Sequence, residues 1–256
     1  MTSDATSPGA ERNPGRAPRT ALVTGGSKGI GAEVVRALVV RELNVGCGYR
    51  HGADRAAALA EELGPKVLPV PYALGSETSA REAVRTVVEH HGRLDSIVLN
   101  AGVWDGGLLE DMDHERWWSV IETNVSSLSH ATRAALPALR EAEQPSILLM
   151  SSVVGLIGHA GDTAYASAKA AMVGFARSLS KEVGRYGIRV NVLAPGFVDT
   201  EMTSTVPDKA RERILERAVL GRFGTAAEIA AAAVFLSEDA TYCTGTVLSV
   251  DGGWSL

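Results

Sequence analysis

Tyr165 and Lys169 lie four residues apart in a segment whose apolar spacing predicts a helix, and residues so spaced share one face. A phenol and an ammonium pointing the same way can move a proton. A free tyrosine titrates near pH ~10, too high for easy exchange at neutral pH, and a neighbouring cation favours the phenolate. The pair is therefore expected to serve a carbonyl group, Tyr165 giving its proton to the oxygen as the carbon is reduced. Ser152 closes an apolar run upstream, where its hydroxyl can hydrogen-bond the same oxygen and fix its position. Lys169 is expected to hold a cofactor ribose as well.

A second constellation suits a phosphate. Ala21-Leu22-Val23 runs into Thr24-Gly25-Gly26-Ser27-Lys28-Gly29-Ile30-Gly31 and then an amphipathic pattern. Glycines at 25, 29 and 31 permit a tight turn and close approach of backbone N–H groups, and the following helix points its positive end at the same place. Gly25, Ser27, Lys28, Gly29, Ile30 and Gly31 are thus expected around a pyrophosphate, because the loop follows a strand and opens a helix. The residue about 20 positions on selects the cofactor: an acid there would bind a ribose 2′-hydroxyl and repel a 2′-phosphate. Tyr49 and Arg50 occupy that place, with Lys28 in the loop. Two cations and no carboxylate point to NADP(H), since Arg can clasp a phosphate bidentately.

The elements that must position these residues alternate in type. Strand-like runs fall at 20–24, 44–49, 66–72, 96–100, 146–151, 189–194 and 247–250, and helical patterns at 30–42, 53–63, 80–91, 114–139, 163–186 and 226–236. Ser79 with Glu82, and Thr225 with Glu228, fit capping boxes. Runs such as Ser96-Ile97-Val98-Leu99-Asn100 are apolar on both faces, as expected when helices cover both sides of a parallel sheet. The class is α/β: a single Rossmann-type doubly wound domain, with a mainly seven-stranded parallel sheet flanked by helices. Residues 19–256 form the expected NADP-binding catalytic domain. The stretch 195–217, with Pro, Gly and a short charged helix, breaks the rhythm where a lid over the strand ends belongs.

A net charge of −5 with interspersed signs excludes a basic nucleic-acid face. Residues 1–18 read as a flexible tail without a signal or membrane segment, and no later run is apolar enough to span a bilayer. Cys47 lies in an apolar stretch and reads as core; Cys47 and Cys243 show no metal or disulfide spacing, so no metal is expected and a cytoplasmic setting is compatible.

Taken together, the Thr24–Gly31 loop, Asn100-Ala101-Gly102, Ser152, Tyr165-x-x-x-Lys169 and Pro195-Gly196-Phe197-Val198 resemble the short-chain dehydrogenase/reductase family in order and spacing, from about Thr20 to Trp254. Ser151-Ser152-Val153-Val154-Gly155 and Val250-Asp251-Gly252-Gly253 resemble its 3-oxoacyl-(acyl-carrier-protein) reductase branch. The resemblance implies that Asn124 joins the catalytic set through a water-mediated proton relay to the lysine. Read by itself, a mid-helix asparagine is more often a kink or a satisfied polar core residue. The resemblance further implies that Asn100, Ala101, Gly102 and Leu74 lie against the adenosine side of the cofactor, and Pro195, Gly196, Val198 and Thr200 near the nicotinamide. It also implies a homo-oligomer, most often a tetramer built through the two long helices and the last strand.

Two departures stand out. Ala73 occupies the place of an aspartate that usually faces the adenine, and Glu143 and Tyr186 stand where carrier-protein reductases present basic residues, with Arg140 and Arg185 adjacent. Of the substrate loops, Trp104 suits an apolar wall or packing under the lid, His159 reads as a solvent-facing loop residue, and Asp105, Phe197 and Met202 lie nearby in sequence. Trp117 and Trp118 read as core or interface. The implied function is NADPH-dependent reduction of a small-molecule carbonyl substrate, a 3-oxoacyl thioester or related ketone, free or carrier-bound. An NAD-dependent secondary-alcohol dehydrogenase and a catalytically silent NADP-binding protein are the alternatives.

Overall fold

The computed structural model describes residues 18–201, 203, 206 and 208–256. The expected tail lies, up to residue 17, outside the described residues, as does Met202. Seven strands, β1 (Thr20–Val23), β2 (Asn44–Tyr49), β3 (Val67–Pro71), β4 (Ser96–Leu99), β5 (Ser146–Met150), β6 (Arg189–Pro195) and β7 (Val247–Val250), form one sheet in the order β3-β2-β1-β4-β5-β6-β7. Every pairing is parallel. Among the described residues eight α-helices accompany them: α1 (Gly29–Val40), α2 (Ala53–Leu63), α3 (Glu77–His91), α4 (His114–Arg140), α5 (Val154–Ile157), α6 (Thr163–Val183), α7 (Asp208–Arg217) and α8 (Ala226–Val234). No helix among the described residues is long and apolar enough to cross a membrane.

Alternation along each strand divides the core. Ala21, Val23, Val98, Leu148 and Met150 pack with α1, α2 and α8, whereas Leu22, Ile97, Leu99, Ile147 and Leu149 pack with α3, α4 and α6. Successive strand side chains point to opposite faces, so central strands covered on both sides must be apolar throughout. Cys47 is one of these buried core residues, as expected, and burial pushes its thiol up to about 12. The strand carrying Pro69 and Pro71 is the sheet edge, where a missing N–H breaks no ladder.

Three local readings change. The cap of α3 is Ser76, whose hydroxyl accepts from Ser79 N, while Ser79 Oγ accepts from Ala73 N at 2.7 Å. The helix starts earlier than the apolar pattern because its first turn is exposed and polar, and periodicity cannot mark it. The long helix α6 stops at Val183 and tightens into a 3₁₀ turn over Gly184–Tyr186. The last helical stretch ends as a π turn over Phe235–Asp239, whose carbonyls at Leu236 and Ser237, with that of Ala240, accept from the buried Arg189 guanidinium. The capping box of Thr225 and Glu228 forms as expected.

Sheet order reverses at β1, which pairs with β2 on one side and β4 on the other. Crossover helices leave in opposite directions from that point and open a crevice beyond the carboxyl ends of both strands. The glycine-rich loop and Asn100 lie there.

Candidate active site

Loop 24–31 is pinned by hydrogen bonds to the ends of β2 and β4. Gly26 N donates to Gly48 O at 2.8 Å, and Asn100 Nδ2 donates to Thr24 O and Gly25 O at 3.1 Å each. Thr24 Oγ1 accepts from Asn100 N and Ala101 N, both at 3.0 Å, so the ends of β1 and β4 are tied together. Gly25 and Gly29 take φ of 66° and 54°, in the left-handed region that favours glycine. At Gly31 a Cβ would stand 2.1 Å from Gly25 O and 2.7 Å from Asn100 Nδ2. Lys28 is an extended N-cap that offers α1 no side-chain hydrogen bond. A cradle shaped by glycine, at a helix end without a side-chain acceptor, fits a phosphate, whose oxygens would take the first-turn amides.

Lys28 Nζ reaches Glu201 Oε2 at 3.1 Å, and Arg55 on α2 reaches the same oxygen at 3.2 Å. Arg50 is exposed beyond β2. Leu74 sits in the turn after β3 and packs against the core under α3. Gly102 opens the loop after β4: a Cβ there would lie 3.0 Å from Asn124 Oδ1 and 3.4 Å from Lys169 Nζ.

On the other side of the switch point, β5 ends at Met150 and leads into Ser151 and Ser152. Ser151 Oγ donates to Lys169 O at 2.9 Å, and Lys169 Nζ donates to Met150 O at 2.8 Å. Both bonds fasten α6 to the end of β5. The short helix α5, absent from the sequence reading, is pressed onto α6: a Cβ on Gly155 would meet Lys169 C and Lys169 Cβ at 2.7 Å. Ser152 Oγ accepts from Val154 N at 3.2 Å, which leaves its proton free to be donated. Lys169 Nζ lies 5.4 Å from the Tyr165 ring centroid.

Electrostatics here differ from the expectation. Burial, reinforced by the Asp162 charge, pushes the Tyr165 phenol above its ordinary value, and burial lowers Lys169 to about 8. Desolvation dominates both shifts, so the phenol keeps its proton. Asp162 also accepts from Trp104 Nε1 at 2.6 Å and pairs with His159 Nδ1 at 3.1 Å, linking the loops after β4 and β5. His159, in the loop after β5, keeps 34% of its side chain exposed and packs beside Trp254. Trp117 is half-buried and donates to Thr163 Oγ1, whereas Trp118 is exposed.

Asn124 is buried in α4, its Nδ2 donating to Val103 O at 2.9 Å and Val120 O at 2.7 Å, its Oδ1 accepting from Val103 N at 3.2 Å. The side chain therefore clamps the loop after β4. From β6, Gly196 N donates to Val250 O at 3.0 Å, Pro195 O accepts from Val153 N, and the buried Val198 bridges to Gly224. Thr200 Cγ2 would lie 3.7 Å from a Cβ on Gly29, so this segment crosses the glycine loop. Thr24, Ser151, Gly155, Asp162 and Arg55 escaped the list drawn from the sequence. Thr24, Ser151 and Gly155 carried a signal, their places in the loop and strand-end motifs, whereas Asp162 and Arg55 carried none.

Tyr186 carries two cations, Arg140 at 4.5 Å and Arg185 at 4.8 Å from its ring centroid. Among the described residues no group of three potential metal ligands occurs.

A family model described as enoyl-(acyl carrier protein) reductase matches residues 25–255. The chain is 41% identical over 239 residues to the 3-oxoacyl-(acyl-carrier-protein) reductase FabG of Chlamydia trachomatis serovar D, covering 92% of this chain and 96% of that one. The reductases of the same name from Escherichia coli K12 and Thermotoga maritima are 38% and 37% identical, with 92% of this chain and 96% and 97% of theirs covered.

Proposed function

As this chain belongs to the short-chain dehydrogenase/reductase family, we propose that it is an NADPH-dependent ketoreductase acting on a 3-oxoacyl thioester, with residues 19–256 as its catalytic domain and 195–217 as a lid. The observation that carries the reading is that Lys169 Nζ lies 2.8 Å from Met150 O, two residues before Ser152 at the end of β5, and 5.4 Å from the Tyr165 ring centroid.

The glycine loop and the ends of β4 and β6 would hold a reduced nicotinamide cofactor, which when bound would supply the hydride for the carbonyl carbon. Tyr165 donates its phenolic proton to the oxygen as negative charge builds there, and its raised pKa means that the proton is present when needed. Ser152 donates a hydrogen bond to the same oxygen and holds it near the phenol. Lys169 stabilises the phenolate left behind, and at about 8 it can return a proton near neutral pH. Asn124 acts through Val103, keeping the adjacent Gly102 against the lysine. Gly25, Ser27, Lys28, Gly29, Ile30 and Gly31 bind the pyrophosphate. Asn100, Ala101, Gly102 and Leu74 face the adenosine, and Pro195, Gly196, Val198 and Thr200 face the nicotinamide. Arg50 with Lys28 selects NADP(H). The names of the relatives support a carrier-bound substrate, and the Arg140–Tyr186–Arg185 stack offers an acidic carrier two cations fixed by one ring.

Nicotinamide absorbance, followed with NADPH or NADH and a panel of a 3-oxoacyl thioester, simple ketones and an enoyl thioester, tests this. NADPH oxidation with the 3-oxo compound should far exceed that with NADH. Tyr165→Phe should slow it ~10²- to 10⁴-fold with NADPH binding retained. Undiminished turnover by Tyr165→Phe would refute the assigned acid, and preference for the enoyl thioester would refute the substrate class.

A further inference from the structure

The cations beside the glycine loop are shared in an uneven way. Arg36 is taken by Glu33 and Glu62, with bonds of 2.7–2.8 Å. Lys28 and Arg55, from α1's cap and α2's first turn, instead converge on one carboxylate oxygen, that of Glu201, at 3.1 and 3.2 Å. The Arg55 guanidinium is folded back over the start of α2: a Cβ on Gly52 would lie 2.9 Å from its Nε, and Gly52 takes φ of 87°. A cation laid on a helix N-terminus is disfavoured unless an anion accompanies it. Glu201 supplies that anion from the segment following β6, and its neighbour Thr200 lies against Gly29.

Two donors aimed at one oxygen from the cap of α1 and the first turn of α2 describe an oxyanion seat. A phosphate monoester brings nearly twice the charge of a carboxylate and three acceptor oxygens, so it answers both cations better than Glu201 does. Resting on the cofactor reading above, we propose that Arg55 is a further determinant of 2′-phosphate recognition, paired with Lys28, and that Glu201 occupies this seat until the phosphate displaces it. Displacement cuts the tie between the base of the lid and the adenosine side of the cleft, so the cofactor phosphate and the lid segment are coupled by competition for the same two cations. The exposure of all three side chains keeps the internal pair weak enough to be exchanged.

Calorimetry of the full chain with adenosine 2′,5′-bisphosphate and with 5′-AMP tests this without turnover. Wild type should bind the bisphosphate at least ~10-fold more tightly, as expected for charge-assisted contacts to a phosphate. Arg55→Ala should erase most of that ratio while 5′-AMP affinity changes by no more than ~2-fold, and Glu201→Gln should raise it ~3- to 10-fold. Equal wild-type binding of the two nucleotides would overturn the NADP assignment and this proposal together. A ratio kept intact by Arg55→Ala would overturn the Arg55 role alone, and one unchanged or lowered by Glu201→Gln would overturn the competition.

Discussion

Replacing Lys169 by methionine should remove turnover and at the same time stabilise the fold at neutral pH. The lysine is 3% exposed, and burial lowers it from the ordinary 10.5 to about 8. At ~1.36 kcal/mol per pH unit, that depression costs the folded state about 3 kcal/mol whenever the lysine is charged. Between pH 8 and 10.5 the unfolded chain holds a proton that the folded chain has released, so wild-type stability rises with pH across this window. The cost is in full force below pH 8 and gone above 10.5. Methionine fills a similar volume without charge but leaves Met150 O without its 2.8 Å donor, a loss of about 1 kcal/mol. The variant should therefore gain about 2 kcal/mol at pH 7, shrinking through zero to a loss of about 1 kcal/mol near pH 11. Denaturant unfolding of both proteins across pH 7–11, without cofactor, measures the difference. A variant less stable than wild type at pH 7, or a gain that does not shrink as pH rises, would refute the claim that desolvation dominates at this lysine.

Gly31→Ala should cost about 2–4 kcal/mol and most of the dinucleotide affinity, because its Cβ meets the backbone of Gly25 and the Asn100 strut. Gly174→Ala, whose Cβ meets nothing within 4 Å on α6, should instead gain about 0.5–1 kcal/mol; thermal unfolding and cofactor titration compare the pair. Arg189→Met should lower stability by about 2–4 kcal/mol through three stranded carbonyls, with kcat and KM unchanged, as denaturant midpoints and steady-state rates will show.

Membership and architecture were legible because they rest on local rules. Alternation of apolar runs with helical periodicity specified the layered parallel sheet, and strand–loop–helix context gave the glycine loop its meaning. The spacing of Tyr165 and Lys169 put them on one helix face whatever the surroundings. Local rules fail wherever the decisive partner is distant in the chain. Asp162 stands only three residues before Tyr165, yet no sequence pattern shows the burial that chiefly raises the phenol, because desolvation is a property of the packed site. Asn124 reads as a relay member from resemblance, and the fold adds hydrogen bonds to Val103 and Val120 that no local pattern shows. Ser79 looked like a cap, and only the turn after β3 shows that Ser76 holds that role. Gly155 became meaningful when α5 met α6, and Arg55 when Glu201 crossed from the far side of the sheet to meet it. The sequence by itself determined the strands, the longer helices and the chemistry they can carry, since propensity and periodicity act over a few residues, whereas the four-residue α5 is too short to show a period. Tertiary structure decided protonation, clamping and competition among charges, since these depend on burial and on contacts between residues far apart in the chain, 173 positions for Lys28 and Glu201.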